Sequence, residues 1–371
     1  MPPSRRFYVH IGLQKTGTSY LQGVMLANRD RLAAQGLALV PPTKKESFEL
    51  MLAVRDRYQP GRDPDSVADA LERFERMLGR TSAPRLLLSQ ESLSAATPAQ
   101  VQRFLGACGS VEVHVVITVR DLARSVPSAW QQDLRSGRTW AYPRYLRRLQ
   151  RMESSGSGRH PWIQLDPPTV LARWASELPE GRIHVVTVPP SGGPPSLLLE
   201  RFCRVLDVDP AGWAQVETPG NTSLGRVQAE VLRRVNRELP DDVLRRQVYG
   251  GVGKRFFAGA VLSEQASRKI LVPKQFRPWC EEVSSRQVAA LQAAGYHVEG
   301  TLADLHCPDS AFTDEEDEPR EREVATAAVA ALARMLTMRA SGRRPTGPAS
   351  PPARSRAQAL IQRIRSSADG R

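Results

Sequence analysis

The chain has 371 residues, of which 41% are hydrophobic, and a formal net charge of +13 at pH 7. This apolar share is enough for a large core and excludes disorder of the whole chain. No run of about 18 apolar residues occurs and the N-terminus lacks an apolar signal segment, so we expect a cytoplasmic protein without a membrane span. The four cysteines are scattered and form no Cys-x-x-Cys pair, which argues against a disulfide framework or a zinc site.

Apolar strands alternate with helical patterns along the first two hundred residues. Strands are predicted at residues 7–12, 85–89, 111–120 and 182–188, with a short apolar piece, "LALV", after the first helix. Helices are predicted after the first strand, at about 45–58 and 65–80, after Arg120 and after Pro194, and residues 221–300 are predicted to be mostly helical. This alternation predicts a three-layer α/β/α fold around a parallel sheet, with helical insertions.

The composition changes near residue 310, where we place a domain boundary. Residues 1–310 are predicted to form the α/β domain. Residues 311–371 contain an acidic linker, an alanine-rich helix near 323–339 and a basic tail rich in Arg, Pro, Ser and Gly, predicted to be flexible and able to touch anionic surfaces. The segment "SRAQALIQRIRSSA" alternatively forms a short basic amphipathic helix on a membrane or partner.

The loop "HIGLQKTGTSYLQ" (residues 10–22) has the composition of an anion-binding turn between a strand and a helix. Backbone N–H groups at such a turn face one cavity, where the helix dipole also favours negative charge. Gly17 allows a close backbone approach, Thr18 and Ser19 add hydroxyl groups, and Lys15 adds a mobile cation. Only six of the 52 basic residues are lysine, which makes Lys15 more notable. Because Lys15 precedes Gly17, the order differs from the nucleoside-triphosphate loop G-x-x-x-x-G-K-[ST].

The order Lys-x-Gly-Thr-Ser after the first strand resembles the 5′-phosphosulfate loop of the sulfotransferases that use 3′-phosphoadenosine 5′-phosphosulfate (PAPS), which have a P-loop-like fold. That family binds the 3′-phosphate with an arginine at a strand end and a serine eight residues later. Here Arg120 ends the strand "VHVVITVR" and Ser128 lies eight positions on. Pro127 predicts that the intervening helix begins near Ser125 or kinks there. The resemblance covers roughly residues 6–300.

The resemblance also implies how the donor is bound. Lys15, Thr16, Gly17, Thr18 and Ser19 would bind the phosphosulfate, and Arg120 and Ser128 the 3′-phosphate. Tyr20 lies where the family often has an aromatic residue against the adenine, although it equally fits a core position of the first helix. Sulfuryl transfer to a hydroxyl or amine would follow, with Lys15 neutralising the charge on the leaving oxygen and no metal needed.

A catalytic base must accept the acceptor's proton, and in this family the base is a histidine or a glutamate. Glu91 follows the strand "RLLLS" in the position that the family's base generally occupies, so we predict Glu91 as the base. A helix cap or a salt bridge is the alternative role of Glu91. His10, inside the first strand, is the rival base, and a buried structural histidine is its simpler interpretation.

The acceptor itself is less well defined by the sequence. A small metabolite, a carbohydrate or a lipid would fit, in a pocket shaped by residues 41–84 and 138–165. Trp130, Gln131 and Arg135 either line this pocket or, for Trp130, belong to the core. Lys254 and Arg255, in "YGGVGKRFF", match poorly the late Arg-Lys-Gly segment that closes the 3′-phosphate site in cytosolic members of the family.

Two other functions remain open from the sequence. One is an ATP-dependent small-molecule kinase with an unusual loop, although no Walker-type aspartate partner is evident. The other is a non-catalytic basic protein that binds polyanions or membranes on a nucleotide-binding scaffold. No feature indicates recognition of a specific nucleic acid.

Overall fold

A computed structural model describes most of the chain. The described residues are 5–194, 196–214, 216, 223–266, 268–314 and 318–342. The basic segment predicted for residues 343–371 lies outside them. No helix within the described ranges is long and apolar enough to cross a membrane.

A six-stranded sheet organises the described part of the chain. The strands are β1 (Arg6–Gly12), β2 (Leu37–Leu39), β3 (Arg85–Ser89), β4 (Glu112–Val119), β5 (Ile183–Thr187), β6 (Val272–Pro273), β7 (His297–Glu299) and β8 (Phe312–Thr313). The sheet has the order β2-β3-β1-β4-β5-β7 with every pair parallel, and β6 and β8 form a separate parallel pair. The predicted parallel α/β fold is therefore confirmed, and the carboxyl ends of the strands meet at one edge.

Helices cover both faces of the sheet, and a further group of helices lies beside these layers. They are α1 (Thr18–Ala27), α2 (Arg29–Ala34), α3 (Lys44–Val54), α4 (Ala70–Arg80), α5 (Pro98–Ala107), α6 (Leu122–Leu134), α7 (Tyr142–Ser154), α8 (Pro167–Ala175), α9 (Leu197–Leu206), α10 (Arg226–Glu238), α11 (Asp241–Leu244), α12 (Arg246–Tyr249), α13 (Arg277–Ala293) and α14 (Glu321–Ala340). A π-helix, Gly250–Val261, continues directly from α12.

Alternating side chains of the strands feed two separate cores. In β1, Phe7, Val9 and Ile11 pack with α3, α4, α5 and α8, whereas Tyr8 packs on the opposite face with α1 and α9. This is the period of two expected for a strand, and both faces are apolar because helices cover both. This packing confirms the predicted three-layer α/β/α fold.

A third apolar cluster joins the helices that lie outside the two sheet faces. It contains buried residues of α6, α7, α10, α13 and α14. From α14 it takes Val324, Ala327 and Ala331, so the alanine-rich helix packs on α10 and the π-helix. A helix that is mostly alanine on its inner face can lie close to its neighbours, because its side chains are small.

The start of α6 differs from the sequence prediction. Because of Pro127 we expected the helix either to begin near Ser125 or to kink there; it begins at Leu122. The buried Asp121 caps it, since its carboxylate accepts a hydrogen bond of 2.8 Å from the Arg124 N–H. Pro127 therefore lies inside the helix.

Candidate functional site

The loops that follow β1, β3 and β4 line one large cavity at the carboxyl edge of the sheet. Its volume is about 1290 Å³. The residues that these loops and the start of α6 contribute are Gln14, Lys15, Gly17, Thr18, Ser19, Gln90, Glu91, Ser92, Arg120 and Ser128. A smaller cavity of about 200 Å³ lies beside Tyr142 and contains none of the predicted donor-binding or catalytic residues. The large cavity is the candidate site because it joins elements that are far apart in sequence.

The loop after β1 exposes an uncapped helix N-terminus to this cavity. Gly17 is the N-cap of α1, has φ of 88°, and no side chain caps the helix there. A Cβ on Gly17 would lie 2.4 Å from Leu198 Cδ2, so the Leu198 side chain of α9 would have to move, and the positive φ also favours glycine. The first N–H groups of α1 are thus available to an anion, beside the hydroxyl groups of Thr18 and Ser19.

Thr16 fixes the shape of this loop from the inside. Its hydroxyl donates to the Leu13 carbonyl (2.5 Å) and hydrogen bonds the Thr118 hydroxyl on β4 (2.6 Å). The side chain is buried and does not line the cavity. Thr16 therefore anchors the turn to β4, and a role of its side chain in donor binding is not supported.

Lys15 lies among other cations. Its φ is 65°, in the left-handed region, and its side chain lines the cavity. Burial lowers the pKa of the Lys15 ammonium to about 8. Arg135, Lys254 and Arg120 lower this pKa as well, while the Glu91 carboxylate acts in the opposite direction. Like charges in one cavity repel each other. The site therefore favours an anionic ligand, whose negative charge would offset this repulsion.

Arg120 and Ser128 meet as the sequence predicts. Arg120 Nη2 donates to the Ser128 hydroxyl (3.0 Å) and to the Arg124 carbonyl (2.6 Å). Burial lowers the pKa of Arg120 to about 10, so its guanidinium is still charged at pH 7. The carboxylate of the adjacent Asp121 pairs with Arg124. The guanidinium of Arg120 therefore retains N–H donors for a ligand in the cavity.

Glu91 approaches the loop closely on the β3 side. A Cβ on Gly12 would lie 2.6 Å from Glu91 Cβ, and Gly12 has φ of 87°. Gln22 Nε2 donates to Glu91 Oε2 (2.8 Å) and to the Ser89 carbonyl (3.2 Å). Gln22 thus holds the carboxylate in place from the side of α1. Gln22 was not among the residues predicted from the sequence, although it lies four residues after Thr18 and so shares its helix face.

His10 does not reach the cavity. Its Nδ1 hydrogen bonds the Ser89 hydroxyl (2.8 Å), its Nε2 lies 3.2 Å from the Thr118 hydroxyl, and its ring packs on Phe202. The ring is fully buried, and burial lowers the pKa of His10 to about 3. The rival assignment of His10 as the base is therefore not supported, because a neutral ring with both nitrogens engaged inside the sheet has no access to an acceptor.

Two aromatic candidates also lie outside the cavity. Tyr20 packs on the cluster formed by α1 and α9, which favours the alternative of a core position. Trp130 is 3% exposed, and its indole N–H donates to the Trp140 carbonyl (2.8 Å). Trp130 is thus a core residue, and so is Gln131, whose side chain accepts from the Leu224 N–H.

Three cations reach the site from segments that the sequence analysis treated as secondary. Arg135, the residue directly after α6, is 8% exposed and lines the cavity. The π-helix adds Lys254 and Arg255. Desolvation by the surrounding protein lowers the pKa of Lys254. The charges of Arg135 and Arg255 lower this pKa as well. The glycines of "YGGVGKRFF" were a usable signal, because Gly253 lies against the Tyr249 ring where a Cβ would come within 2.3 Å.

No protein-family profile matches the sequence, and no curated protein sequence matches it significantly. Among solved structures, the fold is similar to that of a sulfotransferase from Alicyclobacillus acidocaldarius. The TM-score is 0.38 with 16% identity, over 65% of this chain and 100% of that chain. At this TM-score the likeness carries no argument about fold or function: the parallel sheet establishes the fold, and the function depends on the geometry of the site.

The contact between Gly12 and Glu91 makes a stability prediction. Gly12→Ala should lower the free energy of unfolding by about 1–2 kcal/mol for the positive φ, and by about 1–3 kcal/mol more for the contact with Glu91. Gly61 is a matched control, because its φ is 73° and nothing lies within 4 Å of its Cβ position. Urea denaturation of both variants gives the difference. Equal losses of unfolding free energy in Gly12→Ala and Gly61→Ala would contradict the close contact between Gly12 and Glu91.

Proposed function

We propose that the protein is a sulfotransferase that moves the sulfuryl group of PAPS to a hydroxyl or amine of an acceptor. The observation that carries this proposal is the shared cavity: the loop with Lys15 and the pair Arg120–Ser128 line the same space. A single nucleotide with phosphate groups on both sides of its ribose would satisfy both elements. The residues fit such a ligand, because the uncapped helix end and the cations are complementary to negative charge.

The nucleotide would be held at two points. The N–H groups at the start of α1 and the hydroxyl groups of Thr18 and Ser19 bind the 5′-phosphate, and Arg120 with Ser128 binds the 3′-phosphate. PAPS supplies an activated sulfuryl group when it is bound. The Lys15 ammonium would lie at the phosphosulfate and offset the negative charge that develops on its bridging oxygen.

Glu91 would act as the base. Its carboxylate accepts the proton of the acceptor hydroxyl while the acceptor oxygen forms its bond to sulfur. The bond between sulfur and the bridging oxygen breaks, and its electron pair stays on the leaving phosphate. Gln22 occupies Glu91 Oε2, and no described residue hydrogen bonds the other oxygen, which is left for the acceptor. Gln22 is a positioning residue in this scheme.

Ligand and protein deletions together test the donor site. We expect wild type to bind adenosine 3′,5′-bisphosphate more tightly than adenosine 5′-phosphate. Arg120→Ala should remove this preference, because it deletes the cation assigned to the 3′-phosphate. Lys15→Ala should weaken both ligands by about 10- to 100-fold and keep the preference. Isothermal titration calorimetry gives the affinities.

Lys274→Ala is the control for this experiment. Its side chain is exposed and pairs with Asp314, away from the cavity, so it should bind like wild type. Tighter binding of ATP than of the bisphosphate would favour a kinase. Binding that neither Lys15→Ala nor Arg120→Ala changes would favour a non-catalytic polyanion-binding protein.

The base assignment is tested by transfer from labelled PAPS to a panel of hydroxyl-bearing acceptors. Glu91→Gln should keep nucleotide affinity and abolish most transfer. Gln22→Ala should lower kcat with little change in nucleotide affinity, and should have no further effect in the Glu91→Gln background if Gln22 acts through Glu91. Full turnover by Glu91→Gln would place the base elsewhere.

A further inference from the structure

The order of the sheet divides the cavity into two halves. The two donor elements of the proposed function follow β1 and β4, which are neighbours. The cavity continues in the opposite direction, past β3 to β2 and α3. Its volume of about 1290 Å³ also exceeds the roughly 300–1000 Å³ of a typical small-ligand site. The β2 side therefore has room for a second reactant, next to Glu91.

The wall on the β2 side contains an apolar patch, beside Thr43, Lys44 and Ser47. The apolar residues are Leu26 of α1, Leu39 of β2, Pro41 between β2 and α3, and Phe48 of α3. Phe48 is 43% exposed, and is one of few large hydrophobic side chains that the described residues expose to this degree. An exposed phenyl ring on a cavity wall is a surface that an apolar ligand can cover.

Cations face this wall from the π-helix. Arg246, the first residue of α12, stacks on the Phe48 ring at 5.8 Å and pairs with the buried Asp63 at 2.7 Å, which fixes the start of this segment over α3. Lys254 and Arg255 then line the cavity. Neither forms an ion pair with a residue in the described ranges, and Lys254 is close enough to Glu91 for the carboxylate to affect its pKa. A π-helix is rare and frequently found at functional sites.

The cation that α14 contributes, Arg334, differs from Lys254 and Arg255 because the protein already engages it. Arg334 also lines the cavity, but its Nε donates to the Ala260 carbonyl (2.8 Å) and its guanidinium lies 3.7 Å from Glu264. Arg334 therefore supports the π-helix, whereas Lys254 and Arg255 keep their charges for a ligand. Beside Glu91, the cavity thus combines an apolar patch with two π-helix cations that form no ion pair within the described ranges.

From this pairing we propose, resting on the proposed function, that the acceptor is an amphiphilic anion. Its apolar body covers Phe48, Leu39 and Pro41, and its negative group contacts Lys254 and Arg255. Its hydroxyl or amine faces Glu91. The transfer step is the one given above: the acceptor's proton goes to Glu91, and its oxygen or nitrogen gains the sulfuryl group.

Two fluorescent probes with the same ring system test this proposal. 8-Anilinonaphthalene-1-sulfonate is an apolar anion, and N-phenyl-1-naphthylamine lacks the sulfonate. Wild type should bind the anion about 10-fold or more tightly than the neutral probe. The double variant Lys254→Gln/Arg255→Gln should reduce this ratio to within about twofold. Phe48→Ser should weaken both probes and keep the ratio.

The control Arg147→Gln/Arg151→Gln removes two exposed arginines of α7 and should keep the wild-type ratio. Adenosine 3′,5′-bisphosphate should bind Phe48→Ser and this control as it binds wild type, and should not displace the anionic probe from wild type. Displacement by the nucleotide, no binding of the anion, or a ratio unchanged in Lys254→Gln/Arg255→Gln overturns the acceptor proposal alone. Failure of the nucleotide to bind wild type instead overturns the proposed function on which the acceptor proposal rests.

Discussion

Repulsion among the cations that share the cavity is the constraint on which the rest of the site depends. Lys15, Arg120, Arg135 and Lys254 share one cavity, and Glu91 is the carboxylate that opposes them at Lys15. Burial alone lowers the pKa of an ammonium, and each added cation lowers it further. A fold holds such an arrangement only if its framework is stable without the cluster. The three apolar cores of the described residues supply that framework.

The framework also explains why the reacting groups lie so close together. Gly12 lets the chain after β3 approach β1, and Gln22 then fixes the carboxylate of Glu91 from α1. On the opposite side of β1, Thr16 ties the loop to Thr118 of β4. The loop with Lys15 is thus held between two neighbouring strands. Precise placement of charge in a preorganised site is what electrostatic catalysis requires.

Much of this arrangement could be predicted from local sequence. The strands β1, β3, β4 and β5 follow from apolar runs, and the loop after β1 follows from its glycine, its hydroxyl residues and its rare lysine. The meeting of Arg120 and Ser128 follows from their spacing on a strand end and the next helix. Such features depend on residues close in sequence, where periodicity and turn chemistry are informative.

The features that sequence reasoning missed or left open depend on distant contacts. The edge strand β7 is only three residues, His297–Glu299, two of them polar, so no apolar run marks it. The contribution of Lys254 depends on the ion pair of Arg246 with Asp63, 183 residues away. The burial of His10 depends on β3, β4 and α9 together. None of these contacts has a local signature.

Proton uptake on nucleotide binding tests the central claim most directly. At pH 8, calorimetric titration of adenosine 3′,5′-bisphosphate in buffers of different ionisation enthalpy measures the protons exchanged. Because the pKa of Lys15 is about 8 in the free protein and an anion raises it, wild type should take up about half a proton, and affinity should fall as the pH rises through 8. Lys15→Arg keeps the charge but does not titrate, so its uptake should be clearly smaller. No uptake by wild type, or equal uptake by Lys15→Arg, would contradict the account.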